Sequence, residues 1–344
     1  SQVSGTTRNL TGTHFTSATH GWASGEDGVV LRTQNGGTSW TSVQSGGQHF
    51  LGLHALGDTV MAVGAAGRVA RTQNAGGTWT APSVLVSLET VNALHFPTSS
   101  TGFAAGNAGV ILKTTDGGAN WVPQVSGTTA NLNAIRFLDA DTGHAAGASG
   151  VLLRTTDGGA TWTPLSSGTT NAINALLFLN GQTGWFAAAS GTVRRTTDGG
   201  QSWQAPTSMT STTQNFMAIT FATPLVGWVG GGTALRKTTD GGVTWSNQSI
   251  SSPSLNANTN ALLALRAFDT NNVLLLRTQG FHRTTNGGGS WSAVSFSASQ
   301  LRSMDFHASG AGILSTSNGM VATTSDSGYN WAFTQLLPAN RSLN

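Results

Sequence analysis

The sequence predicts an all-β protein, folded as a single β-propeller of four-stranded antiparallel blades across residues 1–344. An eight-residue phrase that ends in tryptophan occurs eight times, and successive copies lie 39 to 46 residues apart. Each interval also holds short apolar-rich segments separated by turn residues, as four strands per repeat would require. The phrase closes at Trp40, Trp79, Trp121, Trp162, Trp203, Trp245, Trp291 and Trp331.

The number of copies indicates the number of blades. Eight copies in 344 residues give about 43 residues each, a typical blade length, and leave no room for a second domain. Eight blades are therefore the favoured prediction. A ring of seven blades with one displaced unit is the alternative.

One repeat shows how each strand is inferred. Residues 131–138 alternate in polarity and are apolar-rich, which predicts the first strand, and 139–143 form a turn. His144–Gly147 makes a second strand of small residues that allow close sheet packing. Val151–Thr155 is the third strand. A fourth begins at Trp162, and its Pro164 suits an outer edge.

The other repeats carry the same first strand, which would lie innermost in each blade. The predicted innermost strands are Leu10–Phe15, Phe50–Leu56, Asn92–Phe96, Asn174–Phe178, Met217–Phe221, Leu262–Phe268 and Ser303–Phe306.

The repeated phrase itself is a turn with a structural explanation. In the copy 155–162, the Asp157 side chain can accept hydrogen bonds from nearby backbone N–H groups, and Gly158 and Gly159 supply unusual backbone angles. Trp162 would pack the turn onto the core. Asparagine replaces the aspartate in three copies, at Asn35, Asn74 and Asn286. Since an amide caps a turn without charge, capping rather than ionisation is the shared requirement.

The phrase resembles the Asp-box, or BNR, repeat of sialidase-type propellers. The wider unit, from Thr142 to Trp162, is similar to the photosystem II stability/assembly factor family. The resemblance covers nearly the whole chain and implies a propeller, but such repeats occur in glycosidases, receptors and assembly factors alike.

Sialidase chemistry, as the resemblance would have it, needs an arginine triad, a Tyr/Glu pair and an aspartic acid. The only tyrosine, Tyr329, lies inside the eighth phrase, and the only glutamates are Glu26 and Glu89. No spacing among the remaining acids selects a carboxylate pair of the kind that glycosidases use. We therefore predict no catalytic residue and no enzymatic activity.

The composition limits the classes of partner and the cellular locations that we expect for this protein. Charged residues make up 8% of the chain and the formal net charge is +3, which is no nucleic-acid-binding excess. There is no cysteine, and no apolar stretch reaches the length of a membrane span. The Thr-, Ser- and Asn-rich surface favours a secreted, cell-surface or periplasmic location. Nothing in the sequence indicates a cofactor or a metal ion.

One candidate ligand site lies along the innermost strands. Alternation turns the residue before the terminal phenylalanine, or its nearest equivalent, towards a central channel. Those residues include His14, His54, His95 and Arg136. Three imidazoles in consecutive blades could bind an anion or a metal ion, although a merely hydrated channel wall is the favoured interpretation.

A second candidate site is a basic ring. A cation precedes seven of the eight phrases, namely Arg32, Arg71, Lys113, Arg154, Arg195, Lys237 and Arg283. Such a ring could dock an acidic partner. The favoured alternative is that each cation pairs locally with an acid or a carbonyl oxygen of its own turn.

Aromatic residues raise a third question. Trp22, Trp185 and Trp228 occupy one equivalent position, which Phe103 and His144 fill in other blades. They could stack on sugars, but packing between blades is favoured because each follows the glycine that opens the second strand.

Two function classes follow from these observations. The favoured prediction is a non-enzymatic scaffold for protein interaction, or a cell-surface structural propeller, that binds a protein partner or assembles with itself. The alternative is a propeller that binds or cleaves carbohydrate, with a glycan as its partner. The terminal segments Gln2–Thr7 and Phe333–Leu337 both read as outer strands. One of them would close the ring in cis, which is favoured, or pair with another copy in trans.

Overall fold

The computed structural model describes residues 6–44, 46–81, 89–250, 262–278, 280–294, 301–316 and 319–334. Their strands form eight sheets, one for each repeat, which confirms the all-β fold class and the favoured count of eight blades. By compactness the chain divides into two units, residues 1–62, 70–80 and 298–344, and residues 63–69 and 81–297. Whether the chain forms a single domain stays a prediction.

The first unit holds blades 8, 1 and most of 2. Blade 1 consists of β1 (Leu10–Phe15), β2 (Gly21–Gly25), β3 (Val30–Thr33) and β4 (Thr41–Gln44). Blade 2 consists of β5 (Phe50–Leu56), β6 (Thr59–Gly64) and β7 (Val69–Thr72). Blade 8 consists of β28 (Leu301–Phe306), β29 (Gly312–Thr316), β30 (Val321–Thr324) and β31 (Ala332–Thr334).

The second unit holds blades 3 to 7. Blade 3 has β8 (Val91–His95), β9 (Gly102–Gly106), β10 (Ile111–Thr114) and β11 (Val122–Gln124). Blade 4 has β12 (Leu132–Phe137), β13 (Gly143–Gly147), β14 (Leu152–Thr155) and β15 (Thr163–Pro164). Blade 5 has β16 (Ile173–Phe178), β17 (Gly184–Ala188) and β18 (Val193–Thr196). Blade 6 has β19 (Ser208–Met209), β20 (Ala218–Phe221), β21 (Gly227–Gly231), β22 (Ala234–Thr238) and β23 (Thr244–Asn247). Blade 7 has β24 (Leu262–Ala267), β25 (Val273–Arg277), β26 (Gly280–Thr284) and β27 (Ser292–Val294).

Four 3-10 turns link the second and third strands of blades 1 to 4, at Glu26–Gly28, Ala65–Gly67, Asn107–Gly109 and Ala148–Gly150. In the described part of the chain, no helix has the length and apolar character that a membrane crossing needs.

Within a blade, the innermost and second strands are locked by an aromatic–glycine contact. Phe137 ends β12 opposite Gly143, and Phe221 ends β20 opposite Gly227. A Cβ atom on either glycine would approach the phenyl ring to within 2.7 and 2.6 Å, respectively. The glycine is therefore required for the ring to lie flat on the second strand.

Neighbouring blades are joined along their innermost strands by side-chain hydrogen bonds. In the second unit, the amides of Asn92, Asn133 and Asn174 donate to backbone carbonyls at the start of the next innermost strand, at 2.8 to 3.0 Å. In the first unit, the hydroxyls of Thr11 and Ser315 do the same. These bonds satisfy carbonyl groups that an innermost strand leaves unpaired at its open edge.

The outer edges of the blades differ. Pro123 and Pro164 lie in the fourth strands of blades 3 and 4, where a proline lacks the N–H that an additional strand would need. Blade 6 instead carries a fifth strand, since Ser208 and Met209 pair in parallel with Thr244 and Trp245. This strand was not foreseen from the sequence.

The terminal strands are only partly described. Phe333 and Thr334 pair with β30 as the fourth strand of blade 8, while residues 335–337 lie outside the described residues. Of Gln2–Thr7, only residues 6 and 7 are described. A Cβ on Gly319 of blade 8 would collide with the Thr6 carbonyl oxygen, just as one on Gly150 would collide with that of Thr169. This contact within one chain agrees with cis closure, which stays a prediction.

Candidate functional site

The eight turns that end in tryptophan, here called the tryptophan turns, are closed by a repeated set of hydrogen bonds. In blade 4, the Thr155 hydroxyl donates to Asp157 Oδ1 (2.8 Å) and accepts from the Gly159 N–H (2.8 Å). The same carboxylate accepts from the N–H and the hydroxyl of Thr161. Bonds from the Thr161 hydroxyl, the Thr161 N–H and the Thr155 hydroxyl lower the pKa of Asp157 to about 2. The Asp157 carboxylate therefore serves as the cap of this turn.

Asparagine makes the same contacts where it replaces aspartate. Asn286 Oδ1 accepts from the Thr284 hydroxyl (2.9 Å) and from the Ser290 N–H (2.8 Å). Its amide nitrogen donates to the Ser290 hydroxyl (2.9 Å). The geometry agrees with the interpretation that capping, and not charge, is what the turn requires.

A substitution pair in blade 6 tests this role. Replacing Asp240 by alanine should lower the free energy of unfolding by about 1–2 kcal/mol, the usual effect of losing a polar cap. Replacing it by asparagine should change stability by only about 0.5 kcal/mol, because an amide keeps the bonds to Thr238 and Thr244. Urea unfolding of both variants measures the difference. If asparagine proved as harmful as alanine, charge rather than capping would be required.

The predicted channel residues of the first unit are close together. His14 and His54 have ring centroids 5.4 Å apart, and His14 Nδ1 lies 3.6 Å from Asp305 Oδ2. Asp305 also accepts a hydrogen bond from the Phe15 N–H at 2.9 Å, so it ties blade 8 to blade 1. All three side chains are half-buried.

In the second unit, the equivalent residues also bridge blades. His95 Nδ1 accepts from the Phe137 N–H at 3.3 Å, and the Thr220 hydroxyl accepts from the Ala267 N–H at 3.3 Å. Arg136 and Arg266 stand at the same register but are exposed. In the described part of the chain, no three histidine or acidic side chains converge in a way that could hold a metal ion. Ligand binding by these residues stays a prediction.

The seven cations before the tryptophan turns are buried or half-buried. Lys113 Nζ lies 5.6 Å from the centroid of the Phe103 ring and donates to the Gly158 carbonyl of the next blade at 2.6 Å. Lys237 lies over Trp228 and donates to Gly287 in the same way, at 2.5 Å. The other five are Arg32, Arg71, Arg154, Arg195 and Arg283.

These contacts place the two lysines between blades rather than on an open rim. The partner of each lysine is a carbonyl of the following turn, whereas the sequence favoured a partner within the cation's own turn. Cation–π contacts of this kind contribute about 0.5–1 kcal/mol each. Docking of an acidic partner by the seven cations stays a prediction.

The three tryptophans at the equivalent second-strand position lie in the core, as the favoured interpretation predicted, and not at a sugar-stacking surface. Trp22, Trp185 and Trp228 are at most 1% exposed. Trp185 stacks on Phe221 with ring centroids 3.7 Å apart, and its Nε1 donates to the Gly241 carbonyl of the next blade at 2.9 Å. No sugar could reach these faces in the folded protein.

His144 fills the same position in blade 4 and behaves as a core residue. It stacks on Phe178 with ring centroids 4.9 Å apart. Burial, followed by the charge of Arg154, lowers the pKa of His144 to about 4. The ring is therefore neutral near pH 7 and is unsuited to bind an anion.

One accessible depression lies beside Arg136. A cavity of about 200 Å³ is lined by Arg136, Phe137 and Leu138 of blade 4 and by Phe178 and Leu179 of blade 5. Leu179 is 39% exposed. Arg136 was predicted from its register in the innermost strand of blade 4, whereas Leu179 was not predicted from the sequence. The feature that could have indicated Leu179 is its place as an apolar residue directly after the phenylalanine that ends the innermost strand.

Comparison with known proteins gives a family and a fold. The family model described as "Photosynthesis system II assembly factor YCF48" matches residues 78–211 and 207–335. No curated protein sequence matches the chain.

Solved structures share the architecture at low sequence identity. "YCF48 bound to D1 peptide" is 18% identical with a TM-score of 0.61, and the match covers 82% of this chain and 93% of that one. YCF48 from Cyanidioschyzon merolae is 19% identical with a TM-score of 0.62, over 83% and 97% of the two chains. The computationally designed Ika8 protein is 16% identical with a TM-score of 0.73, over 93% and 97%. At these identities the likeness shows the fold alone.

Proposed function

The chain belongs to the photosynthesis system II assembly factor YCF48 family, and from this premise we propose that it is a non-enzymatic scaffold that binds a segment of a partner protein. A solved structure with the same fold is titled as bound to a D1 peptide, which makes a peptide the natural class of ligand to test.

The main support for a non-enzymatic role is that the aspartate carboxylates serve as hydrogen-bond acceptors within turns. Six aspartates of the second unit accept backbone N–H bonds within turns, namely Asp116, Asp139, Asp157, Asp198, Asp240 and Asp269. The pKa of each is lowered from its ordinary value. A general acid for glycoside hydrolysis needs a raised pKa instead. These carboxylates are therefore suited to hold turns and not to transfer protons.

The surface best suited to a peptide lies around the cavity beside Arg136. Arg136 is exposed as a residue, its guanidinium offers donors that match a carboxylate, and Leu179 provides an apolar wall next to it. A segment that carries a carboxylate and an apolar side chain would meet both. Arg266 presents a second exposed guanidinium at the same register in blade 7.

Fluorescence anisotropy with a labelled D1 peptide tests the proposal. Arg136→Ala should weaken binding about tenfold, the effect of losing one charged hydrogen-bond donor. Arg194→Ala is the matched control, because it removes the same charge where the guanidinium donates to the Gly168 carbonyl at 2.9 Å.

Two outcomes would contradict the proposal. If the two variants bound the peptide with equal affinity, the surface around Arg136 would not be the binding site. If the unchanged protein did not bind the D1 peptide at all, a peptide ligand of this kind would be ruled out. Turnover of glycosides from a broad panel by the purified chain would show that the protein is an enzyme after all.

Self-association and a location outside the cytoplasm are part of the same proposal. Self-association rests on the low content of charged residues, 8%, which provides little repulsion between copies. The location rests on a composition rich in Thr, Ser and Asn. A glycan partner has less support, because the tryptophans that suggested it are buried.

A further inference from the structure

Two junctions between neighbouring blades, those after blades 3 and 6, share one arrangement. The cation at the end of the third strand lies over the aromatic ring that pairs with it across the sheet, as Lys113 does with Phe103 and Lys237 with Trp228. Its ammonium group donates to the carbonyl of the first glycine in the next tryptophan turn. An alkylammonium group therefore fills the space between two adjacent turns.

Blade 8 lacks this arrangement. The third-strand position holds Thr323, and the residue paired with it across the sheet is Ile313. The acceptor of the next blade is nevertheless present, because Gly36 is the first glycine of the tryptophan turn in blade 1. In the junctions that Lys113 and Lys237 fill, a Cβ on that glycine would lie 3.3 Å from Lys113 Nζ or 3.0 Å from Lys237 Nζ. On Gly36 it would meet only the Ala18 carbonyl oxygen within 4 Å.

A groove occupies the place of the missing side chain. It has a volume of about 510 Å³ and is lined by Thr19, Asn35, Gly36, Asp326 and Asn330, among others. Among the described residues of its lining, Asp326 is the only ionisable one, and no described side chain donates to the Gly36 carbonyl. This described lining thus offers oxygen acceptors and a negative charge without a cation beside them.

We propose that this groove between blades 8 and 1 binds an alkylammonium group, the lysine side chain of a partner protein, in the place that Lys113 and Lys237 occupy at their own junctions. The ammonium would donate to the Gly36 carbonyl, and its aliphatic stem would lie along Thr323, which lines the groove. That the lysine comes from a protein rests on the proposed function, whereas the ammonium chemistry does not.

The absence of cysteine from the chain allows a clean test by disulfide tethering. Thr38 lines the groove and is exposed, so Thr38→Cys can exchange with cystamine or with 2-hydroxyethyl disulfide. Each exchange releases one small thiol and leaves either an aminoethyl or a hydroxyethyl group attached. Ala160→Cys is the matched control, because Ala160 holds the same place in the turn of blade 4, where Lys113 already fills the junction.

We expect the equilibrium preference for the aminoethyl group to be about tenfold larger at Thr38→Cys than at Ala160→Cys, the effect of a charged hydrogen bond. Adding Thr323→Lys should abolish this excess, because the new side chain fills the groove from within. Equal preferences at the two cysteines would overturn the proposal. So would a preference that appears only after Arg341→Gln, since the chain's own arginine would then be the occupant.

A second arm separates the sources of the ammonium group. The peptide acetyl-Gly-Lys-Gly-amide should shift the Gly36 amide resonance at lower concentration than butylammonium chloride, because a protein ligand adds backbone contacts. If butylammonium binds as well as the peptide, the site takes small amines and the assignment to a protein lysine is overturned. Failure here leaves the Arg136 assay unaffected, since Arg136 lies in the other compact unit.

Discussion

Replacing Trp185 by alanine should lower the free energy of unfolding by about 4 kcal/mol, the usual cost of truncating a buried aromatic residue. The side chain is fully buried, and its ring stacks on Phe221 at 3.7 Å between centroids. Alanine would remove this contact and leave a cavity between blades 5 and 6. It would also leave the Gly241 carbonyl without the donor it now has at 2.9 Å. Urea unfolding followed by tryptophan fluorescence measures the loss.

The chain supplies its own control for this experiment. Phe103 holds the equivalent position in blade 3 and stacks on Phe137 with the same centroid distance of 3.7 Å. Trp185→Phe should therefore keep the stacking and cost only about 1–2 kcal/mol for the lost hydrogen bond and the smaller ring. A phenylalanine variant as unstable as the alanine variant would show that the hydrogen bond, and not the packing, dominates at this position.

The blades could be predicted because the same short pattern of strand and turn residues occurs eight times in the sequence. Alternation fixed β1 at Leu10–Phe15 and β5 at Phe50–Leu56, and the structure has the same bounds. The turn caps followed equally well, since Thr155, Asp157 and Thr161 are neighbours in the sequence and in space. Such features depend on contacts within about ten residues, which a pattern can reveal.

The partners of the candidate site residues could not be predicted, because they belong to the next blade. Lys113 meets Gly158, which is 45 residues away in the sequence, and His95 meets the Phe137 N–H, 42 residues away. The pattern showed that a cation recurs but gave no distance to an acceptor. The parallel strand β19 was missed for a related reason, since its pairing with Thr244 and Trp245 depends on the path of a linker and not on its polarity.

The exception at Thr323 shows what a repeat can still reveal once the structure is known. Seven cations at one position indicated a rule, and the eighth position departed from it. Only the contact of Lys113 and Lys237 with the following turn explains what the departure leaves open. The departure is therefore informative because the junctions of Lys113 and Lys237 show what can occupy the space.

Replacing Gly150 by alanine should lower the free energy of unfolding by about 3 kcal/mol, from backbone strain together with overpacking. Gly150 has a φ of +71°, a region that alanine enters with difficulty. A Cβ at this position would also collide with the backbone carbonyl of Thr169 in the linker to blade 5. Because the obstacle is backbone rather than a flexible side chain, the linker itself would have to move.

Gly168 separates the two contributions, because it has nearly the same φ of +69° but no backbone obstacle. The nearest atom to a Cβ there is Arg194 Nε at 3.5 Å, an ordinary contact with a side chain that can shift. Gly168→Ala should therefore show the backbone strain alone, about 1 kcal/mol. Thermal unfolding of both variants gives the comparison. Equal losses would mean that the linker adapts freely at Gly150, and that the close approach of the linker to the 3-10 turn does not hold the two blades together.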